Sequence, residues 1–84
     1  MKIYIVEEDN YDCWVEPQVF INPDKAIAEV RMRYEEVKNE YELEDEVDGP
    51  KTCIWMIDEE TGTGNARASV YQDYWEWRIT EHEI

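Results

Sequence analysis

One histidine, one serine and three glycines are few for a chain of 84 residues, and they limit the catalytic and phosphate-binding sites it could build. His82 lies in the last three residues, where chains tend to fray, and Ser69 has no base near it in sequence, so nucleophilic catalysis is not expected. Gly62-Thr63-Gly64 lacks the lysine and the spacing of a phosphate loop and follows Asp58, Glu59 and Glu60, which would repel phosphate; it reads as a turn. Cys13 and Cys53 have no CxxC spacing and are expected to be buried or half-buried thiols, not a disulfide. No apolar run approaches the roughly 20 residues of a membrane span. The opening MKIYIVEED is too short in apolar residues for the core of a signal peptide, which leads us to expect a cytoplasmic chain. No enzyme activity, cofactor or metal is expected from these residues.

What the chain has in excess is carboxylate. Twenty-two Asp and Glu stand against eight Lys and Arg, a formal net charge of −14, beside four Trp and six Tyr. Acidic chains poor in aromatics stay disordered, but here Trp14, Trp55, Trp75 and Trp77 supply apolar surface enough to offset chain entropy. The charge therefore sits on a folded surface and repels itself. It also repels nucleic acid and anionic lipid, leaving basic proteins or divalent cations as partners. At this length, residues 1–84 form a single domain around one core.

Alternation in KIYIVE at residues 2–7 predicts a first strand, and CWVEPQVFI predicts an edge strand broken by Pro17. Asn22-Pro23-Asp24 opens a helix, because Asn caps free amides, Pro suits the first helical position and Asp favours the positive end. Ile27, Val30, Tyr34, Val37 and Tyr41 then form one apolar stripe over about 23–42. TCIWMID, ARASVYQ and the tail, with Trp75, Trp77 and Ile79 on one face, predict three more strands. The expected fold is α+β, a mainly antiparallel sheet of four or five strands with the helix on one face. Its stripe is expected to meet Ile3 or Ile5, Ile54 or Met56, and Trp75 or Trp77.

Glu44, Glu46, Asp48 and Gly49 echo the start of a calcium loop, but Pro50 follows the glycine and Trp55 stands where the closing Glu belongs. On the helix, Lys25 with Glu29, Glu29 with Arg33, and Arg31 with Glu35 are spaced to neutralise one another. The uncompensated charge falls in the loops. Glu42, Glu44, Asp45, Glu46 and Asp48, with Asp58, Glu59 and Glu60, are the expected partner-binding carboxylates, and Trp14, Tyr71 and Tyr74 the expected aromatic anchors, since Trp and Tyr dominate interface hot spots.

In size, charge and helix-on-sheet plan the chain resembles small acidic proteins of phages and mobile elements that inhibit host defence, including anti-CRISPR proteins and DNA mimics. KIYIVEE followed by VFINPDKAIAEV also looks like a class of small bacterial and phage proteins built as strand, short strand, capped helix. The resemblance implies a prokaryotic or phage source and an inhibitor that covers a basic, nucleic-acid-binding surface of another protein, without itself binding nucleic acid or membrane. The alternative is a structural or housekeeping module, as a homodimer joined through an exposed strand edge or Trp face, whose acidity serves only solubility.

Overall fold

The structure, a computed structural model, describes residues 1–44 and 50–84. The elements follow the order β1 (Lys2–Asn10), β2 (Gln18–Phe20), α1 (Pro23–Tyr41), β3 (Lys51–Asp58), β4 (Thr63–Val70) and β5 (Asp73–Glu83). One antiparallel sheet of five strands in the order β2-β1-β5-β4-β3 carries α1 on one face, the α+β arrangement the patterning predicts.

Local chemistry accounts for the boundaries. The exposed Pro17 and the bend at Ile21 bracket β2, leaving it only three residues long. Asn22 Oδ1 accepts the Asp24 N–H at 2.8 Å, and Pro23 occupies the first helical turn. The helix closes as a Schellman turn: Glu42 takes a left-handed conformation and the Leu43 N–H donates to the Lys38 carbonyl at 2.9 Å, with the Leu43 side chain buried. Gly62 sits at φ 76° in the β3–β4 turn, where an added Cβ would lie 2.6 Å from the Pro23 Cβ; the turn packs against the start of the helix and leaves no room for a side chain.

α1 leaves β2 at one edge and delivers the chain to β3 at the other, so it must cross the sheet. Nineteen helical residues reach about 28 Å, ample for the roughly 19 Å width of five strands. It crosses over the small side chains of Ala66 and Ala68 on β4. Ala26, Ile27, Val30 and Tyr34 join Tyr4, Val6, Cys53, Ile57, Val70, Trp77 and Ile79 in one core. Tyr34 packs edge-on against Trp55 and Trp77, with centroids at 5.2 and 6.1 Å.

Several expectations are corrected. The helix covers the Tyr4/Val6 face of β1 and the Cys53/Ile57 face of β3; Ile3, Ile5, Ile54 and Met56 lie on the other, uncovered face. Both sets are apolar, so alternation alone did not choose. Register did: β1 pairs Val6 with Ile79 and Glu8 with Trp77, which ties the Val6 face to the tryptophan face of β5. β1 also runs to Asn10, beyond the predicted end, because β5 pairs with it throughout. His82 does not fray: it pairs with Ile3 within β5, and its Nε2 lies 3.0 Å from the Thr80 hydroxyl. Neither cysteine is in a disulfide, but only Cys53 is buried; Cys13 is exposed. Arg31 bypasses Glu35 and reaches Glu59 at 2.7 Å, while the expected Glu29–Arg33 pair forms at 2.8 Å.

Candidate functional site

Four structural pieces meet at one end of the sheet: the loop after β1, the β4–β5 turn, the start of β3 and the C-terminus of α1. Asn10 shapes the first, its Oδ1 accepting the N–H groups of Asp12 at 2.9 Å and Cys13 at 2.7 Å. This Asx turn folds the chain back, so that Tyr11 donates its N–H to the Tyr74 carbonyl at 3.1 Å and Trp14 pairs with Asp9 beside β1. The Tyr11 ring stands edge-on to Trp75 at 5.2 Å, and Trp75 in turn meets Tyr41 of the helix at 5.4 Å. At the β4–β5 turn Tyr71 holds a positive φ of 57°, a conformation costly for a bulky residue, and its N–H is tied to the Pro50 carbonyl.

All the exposed aromatic side chains of the described residues gather at this end: Trp14 at 78 % exposure, Tyr71 at 73 %, Tyr74 at 49 % and Tyr11 at 45 %. Carboxylates surround them. Asp12 is exposed in the first loop, and Asp73 opens β5. Glu40, Glu42 and Glu44 are exposed at the end of α1, where the helix dipole already presents negative charge. Tyr11 has its phenol pKa raised above the usual 10.0, first by desolvation and then by the negative charges of Asp73 and Asp12.

Elsewhere several cations pair within the fold. Arg33 lies 3.3 Å from Glu8, Arg78 lies 2.9 Å from Asp9 and 2.6 Å from Glu76, and Lys2 lies 3.6 Å from Glu81. Hydrogen bonding to Asp9 and Glu76 raises the pKa of Arg78 further. Glu42 and Glu44 have no cation partner among the described residues.

The expected site residues do not all fall together. Trp14, Tyr71, Tyr74, Glu42 and Glu44 share the aromatic end, whereas Asp45, Glu46 and Asp48 lie outside the described residues. Asp58, Glu59 and Glu60 belong to the opposite end of β3, about 20 Å away at the rise of a strand. Their charge is also partly committed: Asp58 Oδ1 accepts the Glu60 N–H at 2.8 Å within the turn, and Glu59 pairs with Arg31. Sequence reasoning passed over Tyr11, Tyr41 and Asp73. Only the β1–β5 register brings Tyr11 to Tyr74.

Among the described residues no group of His, Cys, Asp and Glu could hold a metal ion, and no helix is long and apolar enough to cross a membrane. No protein-family model, curated protein or solved structure matches the chain. The site is therefore defined by its own chemistry, an aromatic surface rimmed with unpaired carboxylates, suited to binding cationic groups by charge and by stacking on aromatic faces.

Proposed function

We propose that the chain is an acidic protein-binding inhibitor that occupies a basic, nucleic-acid-binding surface of another protein, the action that small acidic phage proteins of the anti-CRISPR and DNA-mimic type perform. The observation that supports this most is the collection of the exposed aromatics Tyr11, Trp14, Tyr71 and Tyr74 at one end beside Glu42 and Glu44. Aromatic anchors within a charged rim are the anatomy of a protein interface, and carboxylates on a rigid frame can stand in for phosphates in a basic groove. The cost supports it too. Acids at the negative end of a helix and a tyrosine at positive φ both weaken the fold locally, and folds keep such features where they serve binding.

A second reading has its own observation. Ile3, Ile5, Val19 and Ile54 lie on the sheet face that the helix leaves uncovered, which suits a self-associating housekeeping module. Against it, each copy would bring a charge of −14 to the contact.

Affinity capture from a prokaryotic host lysate, followed by competition with duplex DNA, separates the two. The expected result is a basic protein displaced by DNA, whose binding weakens steeply between about 50 and 200 mM salt and on reversing Glu42 and Glu44 to Lys. Self-association insensitive to salt and to those reversals, with no DNA-displaced partner, would sink the inhibitor reading.

A further inference from the structure

β3 is an edge strand, and among the described residues its outer side carries Glu44 only at its beginning. The Cys53 N–H points outward and donates to the Glu44 carbonyl at 3.0 Å. Because a strand repeats every second residue, the N–H and C=O groups of Trp55 and Ile57 also point away from β4, while Ile54 and Met56 bond across to Arg67 and Asn65. Among the described residues nothing pairs with those outward groups of Trp55 and Ile57. Their side chains turn toward the helix, Ile57 buried and Trp55 beneath the Arg31 guanidinium at 4.2 Å, so the edge itself presents backbone.

Sheet edges are commonly blunted by proline, lysine or a bulge. Cys53-Ile54-Trp55-Met56-Ile57 contains no proline or lysine, and its pairing with β4 runs without a bulge. Instead carboxylates stand at both ends, Glu44 at one and Asp58, Glu59 and Glu60 at the other. The outward amides and carbonyls of Trp55 and Ile57, without a partner among the described residues and set between two negative groups, are complementary to an extended chain carrying positive ends.

We propose that a basic, extended segment of a partner protein adds to β3 as a further strand, its backbone pairing with Trp55 and Ile57 and its flanking Lys or Arg side chains reaching Glu44 and Glu60. This rests on the reading of the chain as a binder of basic proteins and supplies a docking mode for it. It also gives one role to two acidic groups that the fold holds about 20 Å apart. A second copy fits poorly: two-fold antiparallel pairing of β3 with β3 would set Glu44 of one copy against the Asp58–Glu60 turn of the other, like charge on like.

The test is amide hydrogen exchange by NMR with a synthetic peptide of about seven residues, lysine at each end and alternating threonine and valine between, long enough to span β3. A matched peptide, N-methylated on the amides that would face β3, keeps the charge and loses the donors. The expected result is exchange at Trp55 and Ile57 slowed at least tenfold by the first peptide and binding at least tenfold weaker for the second. Equal binding of both peptides without protection of those amides would overturn the added strand while leaving the acidic-surface reading standing. Absence of binding by either peptide would also overturn it, and DNA-competed capture of a basic partner would then judge the broader reading separately. Protection of Trp55 and Ile57 that grows with protein concentration alone would assign the edge to a second copy and overturn the proposal as well.

Discussion

The indole N–H of Trp77 donates to Glu8 Oε1 at 2.7 Å, joining the most buried tryptophan to a carboxylate that meets three side chains. Glu8 also receives Arg33 at 3.3 Å and the Asn10 side-chain amide at 2.8 Å, and Arg33 is held in turn by Glu29 at 2.8 Å. Trp77 and Glu8 face each other in the β1–β5 register, so one cross-strand pair links the sheet to the helix. Glu8→Ala leaves a buried indole donor unmet and is expected to destabilise by about 2–3 kcal/mol, whereas Glu8→Gln, which keeps an acceptor, costs about 1 kcal/mol. Denaturant unfolding of the two variants checks the difference; equal and small losses would show that the pair does not organise the core.

Val30 is fully buried in the middle of the helix stripe, and Met32, two residues on, is exposed. Val30→Asp places an unpaired carboxylate in the core and is expected to cost about 3–5 kcal/mol, while Met32→Asp should stay within about 0.5 kcal/mol. Thermal melts of both variants decide whether this is the face that meets the sheet.

Glu42 combines a left-handed conformation, φ 52°, with a negative charge at the negative helix end. Glycine relieves both, so Glu42→Gly is expected to stabilise the fold by about 1–2 kcal/mol. A lower melting temperature for this variant would mean that the Glu42 side chain makes a stabilising contact.

Tyr71 at φ 57° separates stability from binding. Tyr71→Gly should raise stability by about 1 kcal/mol by removing backbone strain, yet weaken binding to a captured partner at least tenfold if its exposed ring is an anchor. Unchanged binding would remove Tyr71 from the site.

Tyr11 carries the pH prediction. Its native pKa lies above the unfolded value of 10.0, so above pH 10 the unfolded chain releases this proton first and native stability falls until the native pKa is passed. Asp73→Asn removes the charge with the largest effect on Tyr11 and is expected to bring the Tyr11 titration, followed by ultraviolet absorbance against a Tyr11→Phe control, down toward 10.0. No movement would show that Asp73 does not contribute to the shift.

Much of the architecture is legible in local patterns because local forces set it. The Asn22-Pro23 start, the 3–4 spacing of the helix stripe and the alternation of Trp75, Trp77 and Ile79 each depend on residues within a few positions. The candidate site is less legible. Tyr71 and Tyr74 stood near Asp73 in sequence, but their company with Tyr11, Trp14 and Glu44 depends on β5 lying between β1 and β4, which no local pattern states. Asp58, Glu59 and Glu60 were expected to bind a partner together with Glu44, and an extended strand holds the two groups apart.

The sequence by itself determined that this chain is a folded anion with one amphipathic helix and several strands, since net charge and apolar periodicity are properties of composition and spacing. Only the tertiary structure decided which face of β1 and β3 is buried, because Tyr4/Val6 and Ile3/Ile5 are both apolar and a one-residue choice of register sends one set inward and the other out. The same pairing decided where the charge is exposed: long-range contacts draw Arg31 to Glu59 and Arg78 to Asp9, and leave Glu42 and Glu44 unpaired beside the aromatic end of the sheet.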